Sequence, residues 1–363
     1  MTPSPPGAPG PAHHPAHHPD GPTDTVLRPR SLADLVTVVP VMLGFHPEHS
    51  LVAVCVHGPR HRLGMTVRVD LPPEEHADEL ADQVAGHVAR QEPDGVLLLA
   101  FADTDAAAAP LLLSLRSRLA DADVDVLEAA RADGVRVVSY TCVDDTCCPG
   151  DGTPYDRVGG ALMAEAVLAG HEVLPGRDAL VERFAPVEGE RALGVASETE
   201  HVRDEVRRLG AGLRHPAGDP VVVRTGWQAC LDAVTRATGL DGPVLDDHDV
   251  AVLSVWTATV VVRDLLWTDI TRESAREQLA LWREVGRRAV EPARPPALSL
   301  AGFAAWMCGD GAQAMTALEA ALAVDPGYSM ALLLHSAVSG GIDPRRWPAM
   351  TQEEVVRTVP GLG

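Results

Sequence analysis

The sequence predicts an N-terminal α/β domain built on a mixed sheet, followed by an all-α half. Three observations predict it. Up to about residue 186 apolar strand-like runs alternate with amphipathic helical stretches. Beyond that point helical periodicity dominates, and a short VVV at 221–223 is the only strand-like run. All six tryptophans, from Trp227 onward, lie in the second half. The expected boundaries are a Pro/His-rich tail over 1–25, the α/β domain over 26–186, a helical domain over 187–350 and a C-terminal tail over 351–363.

In chain order, residues 1–25 are too poor in apolar side chains to offset the entropy of ordering, so disorder is expected there. The pairs His13-His14 and His17-His18 could bind a transition metal, although Pro/His-rich low complexity is the favoured account of them. Ordered structure is expected from about Leu27. Ser31 followed by Asp34 marks a helix start, and Pro40 limits the last turn of that helix. LVAVCV at 51–56 is apolar throughout, as in a central strand, and GMTVRVDL at 64–71 alternates as a half-buried strand does. A helix, a strand at 95–101, a helix at 109–122 and a strand at 134–142 complete a ββαβαβ order.

Composition removes several function classes. A net charge of −21 repels phosphate backbones and anionic lipid, so neither nucleic acid nor membrane is expected as a partner. The basic cluster Arg203, Arg207 and Arg208 is interleaved with Asp204 and Glu205 and reads as an ion-paired helix face. Lysine and asparagine are absent, and isoleucine occurs only at Ile270 and Ile342, which points to a GC-rich genome. Lysine Schiff bases, P-loop lysines and kinase-type lysines are therefore excluded, as is N-glycosylation. The start lacks the basic and apolar regions of a secretory signal, so a cytoplasmic protein is expected. The longest apolar run, 250–262, is too short to span a bilayer and reads as one buried helix. Six cysteines without an export signal suggest reduced thiols or a metal site.

Topology suggests where a site would lie. Strands joined through a helix within one sheet are normally parallel, so those ending at Asp70, Phe101 and Cys142 should share a direction. The first strand, joined to the second by a short turn, runs the other way, which brings GFHPEHS to their carboxyl ends. Open α/β sheets usually bind ligands at that edge. It gathers His46, His49 and Ser50 with Asp70, Asp103, Asp105 and the 142–148 loop.

Each motif also has a purely structural reading. In LGFHPEHSLV two imidazoles, a carboxylate and a hydroxyl could ligate a metal or move a proton, whereas Gly44, Pro47 and Ser50 could simply shape a turn. Cys142, Cys147 and Cys148, beside His46 and His49, could hold zinc or form a redox pair, although inert thiols are the favoured reading. Against zinc, adjacent cysteines rarely ligate one ion together. Asp144 and Asp145 would raise a thiol's pKa, which argues against a thiolate nucleophile. Asp103 and Asp105 suit acid/base or Mg²⁺ work, or the capping of the next helix. The 246–249 acidic run reads as a helix cap. No G-x-S-x-G, G-x-G-x-x-G after a strand, or H-E-x-x-H is present. Near the end, Gly302, Ala314, Ala321 and Pro326 fall at the small-residue and proline offsets of a tetratricopeptide repeat, predicting a helical hairpin over 297–330.

The strings LRPRSLADLVTVVPVMLGFHPEHSLVAVCV, RVDLP, YTCVDDTCCPGDGTPY and LSLAGFAAWMCGDGAQAMTALEAALAVDPGYSMALLL together resemble the family catalogued as domain of unknown function 4192, over 27 to about 345. The resemblance implies a bacterial cytoplasmic protein, mainly from high-GC Gram-positive organisms, and assigns no activity, cofactor or site residue. Two readings follow from the residues. The favoured one is a non-enzymatic interaction or regulatory protein whose helical half meets a protein partner. The alternative is a small-molecule-binding or metal-assisted hydrolytic domain using the sheet edge, with Asp70 or Asp103 as base.

Overall fold

The computed structural model describes residues 29–59, 61–158, 160–237 and 243–362, the side chain of Arg191 excepted. The tail, its paired histidines and the expected start at Leu27 lie outside these residues.

The chain opens with α1 (Leu32–Leu43), whose Ser31 hydroxyl accepts the Asp34 amide and whose end is set by Gly44 at φ +73°. Pro40 is accommodated inside the helix rather than ending it. Then come β1 (Ser50–His57), β2 (Arg62–Asp70), α2 (Ala77–Ala89), β3 (Gly95–Phe101), α3 (Asp105–Asp121), β4 (Val126–Ala132), β5 (Arg136–Ser139) and β6 (Thr153–Pro154). They form one mixed six-stranded sheet in the order β2-β1-β3-β4-β5-β6, with β3 and β4 parallel at its centre and every other pair antiparallel.

The expected strand at 134–142 is corrected here. It shortens to β5, a strand that was not expected, β4, precedes it and folds with it into a hairpin, and the order is ββαβαβββ. Asp133 and Gly134 make the turn: the Asp133 carboxylate accepts the Val135 and Arg136 amides, and Gly134 takes φ +93°. The sequence VLEAARA conceals β4, because alanine, leucine and glutamate are good helix formers. Pairing with β3 on one side and β5 on the other overrides that preference. Ala129 and Ala130 are fully buried, on opposite faces of the sheet.

The two faces are covered differently. Leu51, Ala53, Val96, Leu98 and Ala129 pack under α2 and α3. Val52, Val54, Leu97, Leu99 and Ala130 pack under α1, and that core continues into the helical half.

The helical half follows α4 (Ala161–Leu168) and α5 (Arg177–Glu182) and contains α6 (Glu190–Leu209), α7 (Pro220–Ala237), α8 (Asp247–Trp256), α9 (Val260–Thr268), α10 (Ala275–Arg288), α11 (Arg294–Met307), α12 (Gly311–Val324), α13 (Ser329–Ser339) and α14 (Gln352–Arg357). VVV at 221–223 belongs to α7, where the Asp219 carboxylate accepts the Val221 and Val222 amides and starts a helix despite the β-branched run.

The apolar 250–262 run is two helices, α8 and α9, bent by 109°. At the break the Thr257 hydroxyl donates to the Leu253 carbonyl, taking up a backbone acceptor locally. Among the described residues no single helix is long and apolar enough to cross a membrane. Asp246 caps α8 through the Asp249 amide, and the Arg203/Arg207 face is ion-paired to Glu200 and Asp204.

α11 is buried from Arg294 to Trp306 and packs against α10 and α12. A Cβ on Gly302 would lie 2.8 Å from Leu318 Cγ, so a larger residue would force the α11–α12 hairpin apart. Residues 351–362 also fold: α14 carries a Thr351/Glu354 capping box, and Val355, Val359 and Leu362 are buried.

Candidate functional site

A cavity of about 280 Å³ opens at the carboxyl ends of β3 and β4. Five segments line it. From α1 come Val36, Thr37 and Pro40; from the turn into β1, His46, Pro47, Glu48 and His49; from the ends of β3 and β4, Asp103 and Asp133; from beyond β6, Tyr155 and Arg157. Register explains the convergence. Ser50 pairs with both Asp70 and Phe101, so the start of β1 lies level with the ends of its neighbours. Ala132 pairs with Phe101 in parallel, which adds the β4–β5 turn to the same edge.

The turn before β1 is held by backbone. The His46 amide donates to Leu174, and the Leu71 amide donates to the carbonyl of His49, which adopts φ +43°. Burial, and then the Arg157 guanidinium, push the His46 pKa down, while Glu48 opposes them. The ring is therefore neutral near pH 7, and its buried Nδ1 has no hydrogen-bond partner among the described residues. Arg157 reaches Glu48 at 2.9 Å across the cavity mouth. Burial pushes the Asp133 carboxyl up, but the Arg136 and Val135 amides and Arg131 outweigh it and hold it below the usual range. The Tyr155 hydroxyl accepts the Gly134 amide at 3.1 Å, which ties β6 to the hairpin turn.

The expected residues divide. His46, His49 and Asp103 line the cavity. Ser50 lies beneath the edge, fully buried, donating to the Glu48 carbonyl and accepting from Arg68 Nε at 2.9 Å. Asp70 stands at the edge, exposed and ion-paired to Arg68 at 2.6 Å. Asp105 begins α3 and accepts a hydrogen bond from the Tyr140 hydroxyl, while Thr104, not either aspartate, caps that helix.

Cys142 does not reach the expected edge. Because β5 runs antiparallel to β4, with Ser139 opposite Ala130, the chain beyond it heads away from the carboxyl ends of β3 and β4. Cys142, Cys147 and Cys148 instead form their own cluster, with sulfurs all within 4.8 Å of one another, and His46 and His49 are not part of it. The shared Cys/His site is therefore corrected to two separate places. Hydrogen bonding with Cys142, then burial and Cys147, pushes the Cys148 thiol up to about 12, which fits poorly with a reactive thiolate.

Sequence reasoning missed Thr37, Asp133, Tyr155 and Arg157. The Asp133-Gly134 dipeptide is a hairpin signal that would have pointed to a strand on each side of it, β4 and β5, where one was expected. Tyr155 and Arg157 carry no comparable signal, since only the return of the 140–152 loop as β6 brings them to the cavity.

No curated protein and no solved structure matches the chain. The domain of unknown function DUF4192 matches residues 33–345, which spans the whole sheet, the cavity and all but the last turns of the helical half. The chain belongs to the DUF4192 family.

Proposed function

We propose that this chain is a small-molecule-binding protein whose ligand occupies the cavity at the carboxyl ends of β3 and β4. The observation that supports this reading is the convergence of five separated segments on one concave, mixed-polarity site. At about 280 Å³ it suits a ligand of roughly nucleoside or sugar size. Arg157 and the Tyr155 hydroxyl offer donors, Asp103 and Glu48 offer acceptors, and the neutral His46 ring offers either role through its tautomer. Such a set recognises a neutral, multiply hydroxylated or amide-bearing molecule better than a polyanion, because the carboxylates of Glu48, Asp103 and Asp133 line the cavity with a single guanidinium, that of Arg157.

Native mass spectrometry of the full purified chain, followed by thermal-shift measurements with nucleosides, sugars and amino acids, tests this. A one-to-one adduct or a stabilising ligand is expected, lost in Arg157→Ala and in the cavity-filling Thr37→Trp. No adduct and no stabilisation by any of these compounds overturns the reading.

A second reading, a regulatory protein acting through a protein partner, draws support from Leu332 and Leu333, two leucines left half-exposed on α13. In this reading the repeat-like α11–α12 pair serves as a closing core hairpin, since α11 has no open flank. Crosslinking that places a reproducible partner on α13, abolished by Leu332→Glu with Leu333→Glu, is its test.

A further inference from the structure

We propose that Cys142, Cys147 and Cys148 form a three-thiolate site for zinc or a similarly thiophilic divalent ion, separate from the cavity. The argument is geometric. Zinc–sulfur bonds of about 2.3 Å at tetrahedral angles set neighbouring sulfurs about 3.8 Å apart. The Cys147 and Cys148 sulfurs are 3.9 Å apart, and all three sulfurs fall within 4.8 Å of one another. Adjacent cysteines usually point apart, but a tight turn prevents that here. The amides of both Cys147 and Cys148 donate to the Asp144 carbonyl, at 3.0 and 2.8 Å, and the chain curls so that consecutive side chains share one side. Cys142 is delivered to the same point by the Ser139 hydroxyl, which accepts its amide at 2.9 Å.

A second observation concerns the loop that carries these thiols. Residues 140–152 contain no helix or strand, and Val143 is 97% exposed, so no apolar side chain is shown anchoring its tip. A bound ion would supply the missing anchor by cross-linking positions 142, 147 and 148, as metal sites do in segments with little core of their own. No fourth His, Cys, Asp or Glu joins the cluster among the described residues, so the tetrahedron is closed by water or an added ligand. Binding displaces the protons of the three thiols and changes no oxidation state.

The full chain, purified under reductant, should carry one equivalent of zinc by elemental analysis. After chelation it should take up one equivalent of cobalt(II), with the sulfur-to-cobalt charge-transfer band of a multi-thiolate site. Mass spectrometry after alkylation should show Cys142, Cys147 and Cys148 protected by zinc and modified after chelation. Cys142→Ser and Cys148→Ser should each lose the charge-transfer intensity, while Cys308→Ser, at an exposed cysteine outside the cluster, keeps it. A wild-type chain that binds neither ion, a disulfide within the cluster that persists under reductant, or equal loss in Cys308→Ser each overturns the proposal. Because ligand binding in the cavity is read separately, either conclusion can fail without the other.

Discussion

The two faces of the central sheet use the same strands and lead to different structures. Under α2 and α3, the residues Leu51, Leu98, Ala100, Leu112 and Leu115 form a core that stays within the α/β half. On the opposite face Val52, Leu97 and Leu99 begin a core that runs through Phe184 to Leu253, Trp282 and Leu298 in the helical half. The cavity lies on the second side, because α1 walls it and α1 belongs to that shared core. The comparison teaches that the helical half completes the sheet rather than hanging from it. A disturbance deep in the helices should therefore reach the site more readily than one under α2 and α3.

The largest expected effect comes from the shared core. Trp282→Ala removes a fully buried indole and should cost about 3–5 kcal/mol in denaturant unfolding. Leu98→Ala, under α2 and α3, should cost about 2–5 kcal/mol. The contrast is in the pattern rather than the size: hydrogen exchange should rise in both halves for Trp282→Ala and stay within α2, α3 and the strands for Leu98→Ala. Exchange confined to α6–α14 in the tryptophan variant would break the comparison.

Next is the clamp between the halves. Buried Arg294, on α11, donates to the carbonyls of Gly286 at 2.8 Å and of Phe184, just beyond α5, at 2.7 Å. Arg294→Met leaves both acceptors unpaired in the interior and should cost about 2–3 kcal/mol, read as a lowered denaturation midpoint.

A smaller effect follows from His46. Burial lowers its pKa in the folded chain below the ordinary 6.5. As pH falls through that value the unfolded chain takes up the proton first, so stability is fully present above it and declines as pH drops toward the folded pKa. His87, lowered by burial and then by Arg90, acts in the same direction. Unfolding measured between about pH 8 and 5 should show His46→Gln losing part of the dependence and retaining the rest. An unchanged slope would remove His46 from this account.

The smallest effect on stability is expected at the cavity mouth. Glu48→Gln breaks an ion pair whose partners are both substantially exposed, at 64% and 38%, so its cost should stay under about 1 kcal/mol. Its effect on ligand affinity should be far larger in proportion, since both side chains line the cavity. Calorimetry that finds stability and affinity equally indifferent would detach this pair from the site.

How much of this was legible depends on which residues carry local signals. Ser31 and Asp246 were readable as caps because each places an oxygen beside a specific amide of the next turn. β1 and β3 were readable because strands buried on both faces are continuously apolar. The cavity edge followed from those strands, and so His46, His49 and Asp103 could be named in advance. β4 could not be read from its own residues, since its alanines satisfy a helix as well as a strand and pairing with β3 and β5 chooses between them. The same misreading sent Cys142 to the wrong end of the sheet, because one hidden strand reverses the direction of the next.

By itself the amino-acid sequence determined the class of fold, the exclusion of lysine- and asparagine-dependent chemistry, and the local caps and turns. All of these rest on composition or on contacts between near neighbours in the chain. Tertiary structure alone decided that the helical core merges with one face of the sheet, that Tyr155 and Arg157 join the cavity, and that three thiols gather apart from it. Those outcomes depend on contacts between distant segments and on strand direction, which the order of residues records only after every intervening element has been placed.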